Sequence, residues 1–185
     1  MADTLDAHVE AIRAALSTAD LVCTTGGTMH GPVDHLHPAL AKLGATYLAN
    51  SVQVRPGFPM LLAQVPREGR PPAFVAGLPG NPQSAIVALV SLVIPLLLGL
   101  TGRQLPEPGR VRLATEIKGR GEATHLALVR LDPAGLAEPL GHAGSAMLRG
   151  LARADGFAVI APGTHGAPGD EVPFVPLPIL PGGRP

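Results

Sequence analysis

The stretch Phe74–Val90, FVAGLPGNPQSAIVALV, sets two segments suited to burial on either side of a knot of two prolines and two glycines. Pro79 and Pro82 fix φ and lack an N–H. Gly77 and Gly80 permit positive φ and a close approach of other groups to the backbone. Asn81 precedes a proline and is biased away from helix. It is a natural N-cap, and Pro82 suits a first helical turn. The order is therefore strand, rigid loop, helix start. Free N–H groups at such a start can hold an anion. Pattern alone favours the plainer reading, a strand-to-helix turn that binds nothing.

Working outward, Ser84–Leu100 carries no charge and contains Pro95. It falls near the short limit of the ~20 apolar residues that span a bilayer. A tight turn precedes it, so the expectation is a buried helix under a sheet, kinked or ended near Pro95. A single membrane span is the alternative. Upstream, Leu5, Val9, Ile12 and Leu16 share one helical face. Asp20–Thr25 is a short apolar run ending in Gly26-Gly27, which suggests a buried parallel strand and a glycine turn. Asp34–Leu43 reads as a helix closed by Gly44. Ala45–Val54, Met60–Val65 and Ala73–Gly77 read as strands, with Arg55–Pro59 as a joint. Helices alternating with buried strands predict an α/β layer with a largely parallel sheet.

Beyond Leu100 the character changes. Thr101–Arg110 is polar and proline-rich, a domain boundary. Short alternating runs follow: VRLATEI, HLALVRL, GLAEPL, FAVIAPG and EVPFVPL. They predict a small β domain, a barrel or a folded sheet, with one short helix near 147–154. The domains expected are residues 1–104 and 110–180, with a frayed end over 176–185.

Composition bounds the function. Hydrophobic residues are 46% and charged residues 15% of 185, which supports a core and excludes wholesale disorder. Fourteen basic residues balance fourteen acidic ones, so no broad electrostatic footprint for nucleic acid exists. The lone cysteine, Cys23, excludes an internal disulfide and fits a reducing, cytoplasmic setting. It reads as an inert core residue. The opening residues are charged and amphipathic rather than a signal peptide. His30, His35 and His37 gather near Asp34, but their spacing matches no standard zinc pattern.

Three phrases belong together: DLVCTTGGTMHGPVDH (20–35), VRPGFP (54–59) and GLPGNPQSA (77–85). In this order and at these spacings they resemble the molybdopterin molybdenumtransferases, the family that includes the C-terminal half of gephyrin. GSAML (144–148), ARADGFAVI (152–160) and GDEV (169–172) resemble that family's C-terminal β domain. The resemblance covers nearly the whole chain. It implies a partial molybdopterin-binding three-layer α/β domain followed by the β domain. The family inserts molybdate into adenylylated molybdopterin and releases AMP, with help from Mg²⁺. Its members are about twice as long. The resemblance implies an opening strand, a helix and a second strand ahead of Asp3, and separate dimer-building regions.

The resemblance also implies roles. Asp34 stands at the family's catalytic, metal-binding acidic position, and Asp3 at a second acidic position. Asp34 has an alternative role as a helix N-cap. Gly26, Gly27, Thr28 and Gly31 would form the ligand loop. Pro79, Gly80, Asn81 and Pro82 would form the rigid wall of the site, and Arg55, which keeps a positive charge, and Ser84 would also bind the ligand. The departures are Phe58 where a lysine is usual, Ser51 where a basic residue is usual, and Met29 near a usual serine. A catalytically silent module that binds molybdopterin or a partner enzyme is the rival reading, and a truncated product without independent function is another. Partners implied are the pterin substrate and a homodimer or full-length relative, with no nucleic acid and no membrane.

Overall fold

The computed structural model describes residues 4–29, 31, 34–140 and 148–178. It divides into two compact units. One holds Met1–Val52 with Gly57–Val93, the other Gln53–Pro56 with Ile94–Pro185.

The first unit begins with α1, Leu5–Thr18. Thr4 caps it, accepting the Ala7 N–H at 3.3 Å. Val9, Ile12 and Leu16 form its buried stripe, as their spacing predicts. Arg67 closes its far end, donating to the Leu16 and Ala19 carbonyls and to the Asp20 carboxylate. Next come β1 (Leu21–Thr25), α2 (Leu36–Lys42), β2 (Thr46–Asn50), β4 (Leu61–Arg67) and β5 (Arg70–Leu78). Two-residue β3, Val54–Arg55, belongs to the second unit. The expected strand over 45–54 is thus two pieces.

The sheet order is β1-β5-β4-β2. Only β1 and β5 run parallel, with Leu21 opposite Phe74 and Thr25 opposite Leu78. The other two pairings are antiparallel. This corrects the expectation of a largely parallel sheet. Glu68-Gly69 joins β4 to β5 through a positive φ at Gly69, and a two-residue link reaches only an antiparallel neighbour. One sheet face packs on α1 and α2 through Val9, Ile12, Leu16, Leu36, Leu40, Leu61, Val65 and Val75. Each such side chain contributes roughly 1.5–3 kcal/mol on burial.

The helix after the Pro-Gly knot runs from Pro82 to Leu100. It consists of α3 (Pro82–Ala88), a π-helical turn (Leu89–Val93) and α4 (Ile94–Leu100). The wide turn directly precedes Pro95, whose missing N–H and ring would disrupt a regular α-turn there. Val87, Ala88 and Val93 are buried, but Leu97 and Leu100 are 44% and 46% exposed. The helix is therefore not the buried one expected. It has one covered side, and lack of charge says nothing about what covers the other. By length and composition alone it is long enough to cross a membrane.

The second unit is a closed five-stranded barrel. Its strands are β6 (Gly109–Leu113), β7 (Thr124–Leu131), β8 (Leu136–Pro139), β9 (Gly156–Ile160) and β10 (Glu171–Pro176). The ring runs β7-β8-β6-β10-β9 and closes through a β7–β9 pairing, with β3 added beside β7. Closure removes the sheet's free edges. All five alternating runs read from the sequence become barrel strands. Val111, Leu113, Ile117, Val129, Ala158 and Ile160 fill the interior. Gly156 is required: a Cβ there would lie 2.5 Å from the Phe174 ring and the Val175 carbonyl. Asp132 shapes the β7–β8 turn by accepting the Ala134 and Leu136 N–H groups at 2.8 Å each. A short helix, α5, covers Leu148–Leu151.

Candidate functional site

Because β1 and β5 are parallel neighbours, their C-terminal ends lie side by side. Both run out into glycine loops, and the crevice outside such strand ends is where open α/β sheets bind ligands. Gly26 and Gly27 take φ of +82° and +66°, a pair of left-handed residues that other side chains resist. The Gly26 N–H donates to the Leu78 carbonyl at 2.9 Å, pinning one loop to the other. A Cβ built on Gly80 would stand 3.6 Å from the Gly26 Cα. The two turns are thus in near contact.

Neither Gly77 nor Gly80 uses the positive φ open to a glycine. A Cβ on Gly77 would meet Leu36 Cδ2 and Leu61 Cγ at 2.8 Å, so that glycine is needed for packing. Pro79 is buried and Gly80 exposed. Asn81 caps the helix, its Oδ1 accepting the Ser84 N–H at 3.3 Å, and Pro82 opens the first turn. Such a cap is worth ~1 kcal/mol. Ser84 and Gln83 are buried, 6% and 4% exposed. Two polar atoms of the region, Thr24 Oγ1 and Gln83 Oε1, are buried without a hydrogen-bond partner among the described residues. Orphaned atoms beside two glycine turns fit a place that takes a polar ligand.

Asp34 is half-buried, and its Oδ2 accepts the Gly31 N–H at 2.9 Å. The Asp34 N–H donates to the Gly31 carbonyl at 3.0 Å. This corrects the N-cap reading: His35 precedes α2 in helical geometry without a side-chain cap bond. Asp34 instead ties its own loop. One carboxylate oxygen, Oδ2, serves that tie.

The histidines do other work. His37 holds the Thr28 carbonyl through Nε2 at 3.2 Å and meets Tyr47 Oη through Nδ1 at 2.7 Å. His35 lies edge-on to His8, ring centroids 5.2 Å apart. Among the described residues no group of three His, Cys, Asp or Glu could hold a metal. Cys23 is exposed rather than in the core. β1 is the edge of its sheet, and alternation points Cys23 away from the face on which Val22 packs. Partial burial still pushes its thiol pKa up.

The structure thus brings Gly26 against Gly80 at the strand ends, with Gly27, Thr28, Pro79, Asn81, Pro82 and Ser84 on the adjoining segments. Gly31 and Asp34 form a second tied turn in the same β1–α2 connection. Arg55 lies in the second unit, on β3, opposite His125 of β7. Phe58 and Met29 are exposed, 36% and 57%. Ser51 is the lone non-glycine among the described residues with positive φ, +71°. Asp3, His30, residues 144–147 of the GSAML phrase and the end from 179 lie outside the described residues. Sequence reading missed the His37–Tyr47 pair. The partners are ten positions apart, and no spacing rule points to them.

Residues 1–99 match a family described as "Probable molybdopterin binding domain". Residues 110–177 match the "MoeA C-terminal region (domain IV)". The Nostoc sp. protein named molybdopterin molybdenumtransferase is 39% identical over 94 residues, half of this chain and 21% of its own length. The Bacillus subtilis protein of that name is 29% identical over 171 residues, 90% of this chain and 39% of its own. The chain spans about a fifth to two fifths of the curated relatives it matches. A crystal structure of the molybdopterin biosynthesis moea protein from Pyrococcus horikosii superposes with a TM-score of 0.74 at 25% identity, covering 93% of this chain and 41% of that one. A molybdenum cofactor biosynthesis protein from Pyrococcus furiosus shares the fold at TM-score 0.70 and 19% identity. From glycine turns to barrel, the chain belongs to the molybdopterin molybdenumtransferase family, as a molybdopterin-binding domain joined to that family's C-terminal β domain.

Proposed function

We propose that this chain binds adenylylated molybdopterin at the paired glycine turns and serves molybdate insertion with release of AMP. The observation that carries the reading is the near contact of Gly26 and Gly80 at the ends of two parallel strands, directly before a capped 19-residue helix. Left-handed glycines let an anionic ligand approach the backbone, and the helix start offers N–H groups to it. Molybdate, the other substrate, is also an anion. Asp34 would hold Mg²⁺ through the carboxylate oxygen not used by Gly31. The donor set fits: magnesium commonly takes one or two carboxylates and completes its shell with water and substrate phosphate. When bound, it would neutralise the phosphates and polarise the bond that releases AMP. Residue by residue, Asp34 positions a cation, the glycine turns admit the ligand, and Pro79 and Pro82 hold the wall rigid. A full-length relative or a second copy would complete the site, in the reducing cytoplasmic setting that a free Cys23 suits.

A second reading, a silent module that binds the pterin without turnover, is favoured by Phe58 and Ser51. Each stands where the resemblance implies a cation. Their loop is closed by backbone bonds, Ser51 N–H to the Met60 carbonyl and Val52 N–H to the Phe58 carbonyl, both 3.0 Å.

One titration separates the readings. The chain has no tryptophan and one tyrosine, so pterin fluorescence can be followed with little background. Pterin binding with molybdate-dependent AMP release supports the enzyme. Binding without release supports the silent module. No binding refutes both.

A further inference from the structure

The Gly26-Gly27 turn has no side chain of its own to hold it. Two consecutive glycines at positive φ are the most conformationally free element a chain can place at a ligand site. Thr28 follows them and is only 7% exposed. Its carbonyl oxygen meets His37 Nε2 at 3.2 Å, and His37 Nδ1 meets Tyr47 Oη at 2.7 Å. A carbonyl only accepts, so Nε2 carries the proton. In a neutral imidazole Nδ1 is then the acceptor, and the Tyr47 hydroxyl donates. The bonds run one way: Tyr47 O–H to His37, and His37 N–H to the Thr28 carbonyl.

We propose that His37 and Tyr47 form a latch that presets the Gly26–Thr28 turn for its ligand. They act as positioning residues, without touching the ligand. The inference rests on the reading of that turn as the pterin site. His37 sits in the first turn of α2, and Tyr47 on β2. β2 is the sheet edge opposite β1, so the relay ties the ligand turn to the far side of the sheet. A bulge makes this possible. Tyr47 faces Ala63 and Ala49 faces Leu62, leaving Leu48 as the extra residue, 55% exposed. Tyr47 is thereby kept against the α1–α2 core, half-buried. Tyr47 is a donor at neutral pH, and burial pushes its phenol pKa further up. Presetting the turn removes part of the ordering cost that a flexible glycine pair would impose on binding.

The test reads the turn and the ligand separately. Amide exchange is followed by NMR at Gly26, bonded to Leu78, and at Gly31, bonded to Asp34, with β5 amides as the reference. His37→Leu should speed the turn amides roughly five- to tenfold, the loss of one net hydrogen bond, and leave β5 unchanged. His37→Gln should restore protection, since its amide N–H takes the place of Nε2–H. The parent's imidazole should show the Nε2–H tautomer in long-range proton–nitrogen spectra, and Tyr47→Phe should shift the Nδ1 signal. Equal exchange in the parent and His37→Leu overturns the latch, as does an Nδ1–H tautomer, which needs no variant to detect. If the parent binds the pterin by its fluorescence and His37→Leu binds as tightly, the latch is likewise overturned. A parent that binds no pterin refutes the functional reading instead, and exchange alone then decides whether the turn is held.

Discussion

Two glycines on one strand–loop segment should respond oppositely to the same added methyl. At Gly77 a Cβ would stand 2.8 Å from both Leu36 Cδ2 and Leu61 Cγ. Those side chains are 3% and 1% exposed, so neither can swing into solvent. Overpacking of this kind costs about 1–3 kcal/mol. A chain of this size loses about 2–4 °C per kcal/mol. Gly77→Ala should therefore lower the melting temperature by about 2–12 °C. At Gly80 the methyl meets only the Gly26 Cα, at 3.6 Å, an ordinary contact on an exposed residue without positive φ. Gly80→Ala should stay within about 0.5 kcal/mol of the parent. It adds bulk where the two turns meet, however, and a ligand seated there should bind about tenfold more weakly or worse, equivalent to ~1.4 kcal/mol. Calorimetric melting and pterin fluorescence titration of the two variants give the answer. An unchanged melt for Gly77→Ala would refute the packing argument. Parent-like pterin affinity in Gly80→Ala would remove the meeting point of the two turns from the ligand site.

Asp34→Asn keeps an oxygen for the Gly31 N–H and removes the charge a cation needs; AMP release should vanish with little change in melting, and retained release takes Asp34 out of the catalytic set. Pro79→Ala with Pro82→Ala should weaken pterin binding more than it weakens the fold, each proline's restriction being worth ~0.4–1 kcal/mol; an unaltered titration would make the loop a mere turn. Phe58→Lys should improve affinity for the anionic pterin by about ten- to a hundredfold, one charge-assisted contact of ~1.5–3 kcal/mol, without raising turnover; an unchanged binding constant would place position 58 away from the ligand. Burial lowers the His125 pKa, outweighing the hydrogen bond its Nδ1–H donates to the Lys118 carbonyl, while the Arg120 charge lowers it further. The unfolded chain then takes a proton that the barrel does not as pH falls through about 6.5. Barrel stability should drop over that range and level off below the folded pKa; urea unfolding at several pH values should show the drop flattened in His125→Asn, and an equal drop in that variant would assign it elsewhere.

The elements that a local pattern encodes were readable in the sequence. Val9, Ile12 and Leu16 give α1 by their spacing, and the five alternating runs after Arg110 give the barrel strands. Asn81 and Pro82 announce a helix start because capping and fixed φ are properties of those residues in any protein. Strand direction was less readable. Met60–Val65 and Ala73–Gly77 look alike whether parallel or not, and only the two-residue Glu68-Gly69 link decides. Burial of the helix after the knot was not readable either. Leu97 and Leu100 are as apolar as Val87, yet Val87 is fully buried while they are 44% and 46% exposed. Cys23 was misread for the same reason: an apolar strand says nothing of its place in the sheet, and β1 is an edge.

The candidate site divides along the same line. Its backbone half is built from residues whose conformational limits are intrinsic: Gly26 and Gly27 at positive φ, Pro79 and Pro82 at fixed φ. Such residues carry their geometry with them, so their order in the chain was enough to locate the turns. Its side-chain half depends on register. Asp34 looked like a cap and proved to be a tie to Gly31, because His35 already holds helical geometry and the Asp34 carboxylate is turned back along the loop. His37 reaches Tyr47 only because β2 pairs with β4 in one register and bulges at Leu48. A one-residue slip would send Tyr47 to the opposite face and leave His37 without its donor. The backbone part of the candidate site can therefore be read locally, whereas its side-chain part exists only once the whole sheet is assembled.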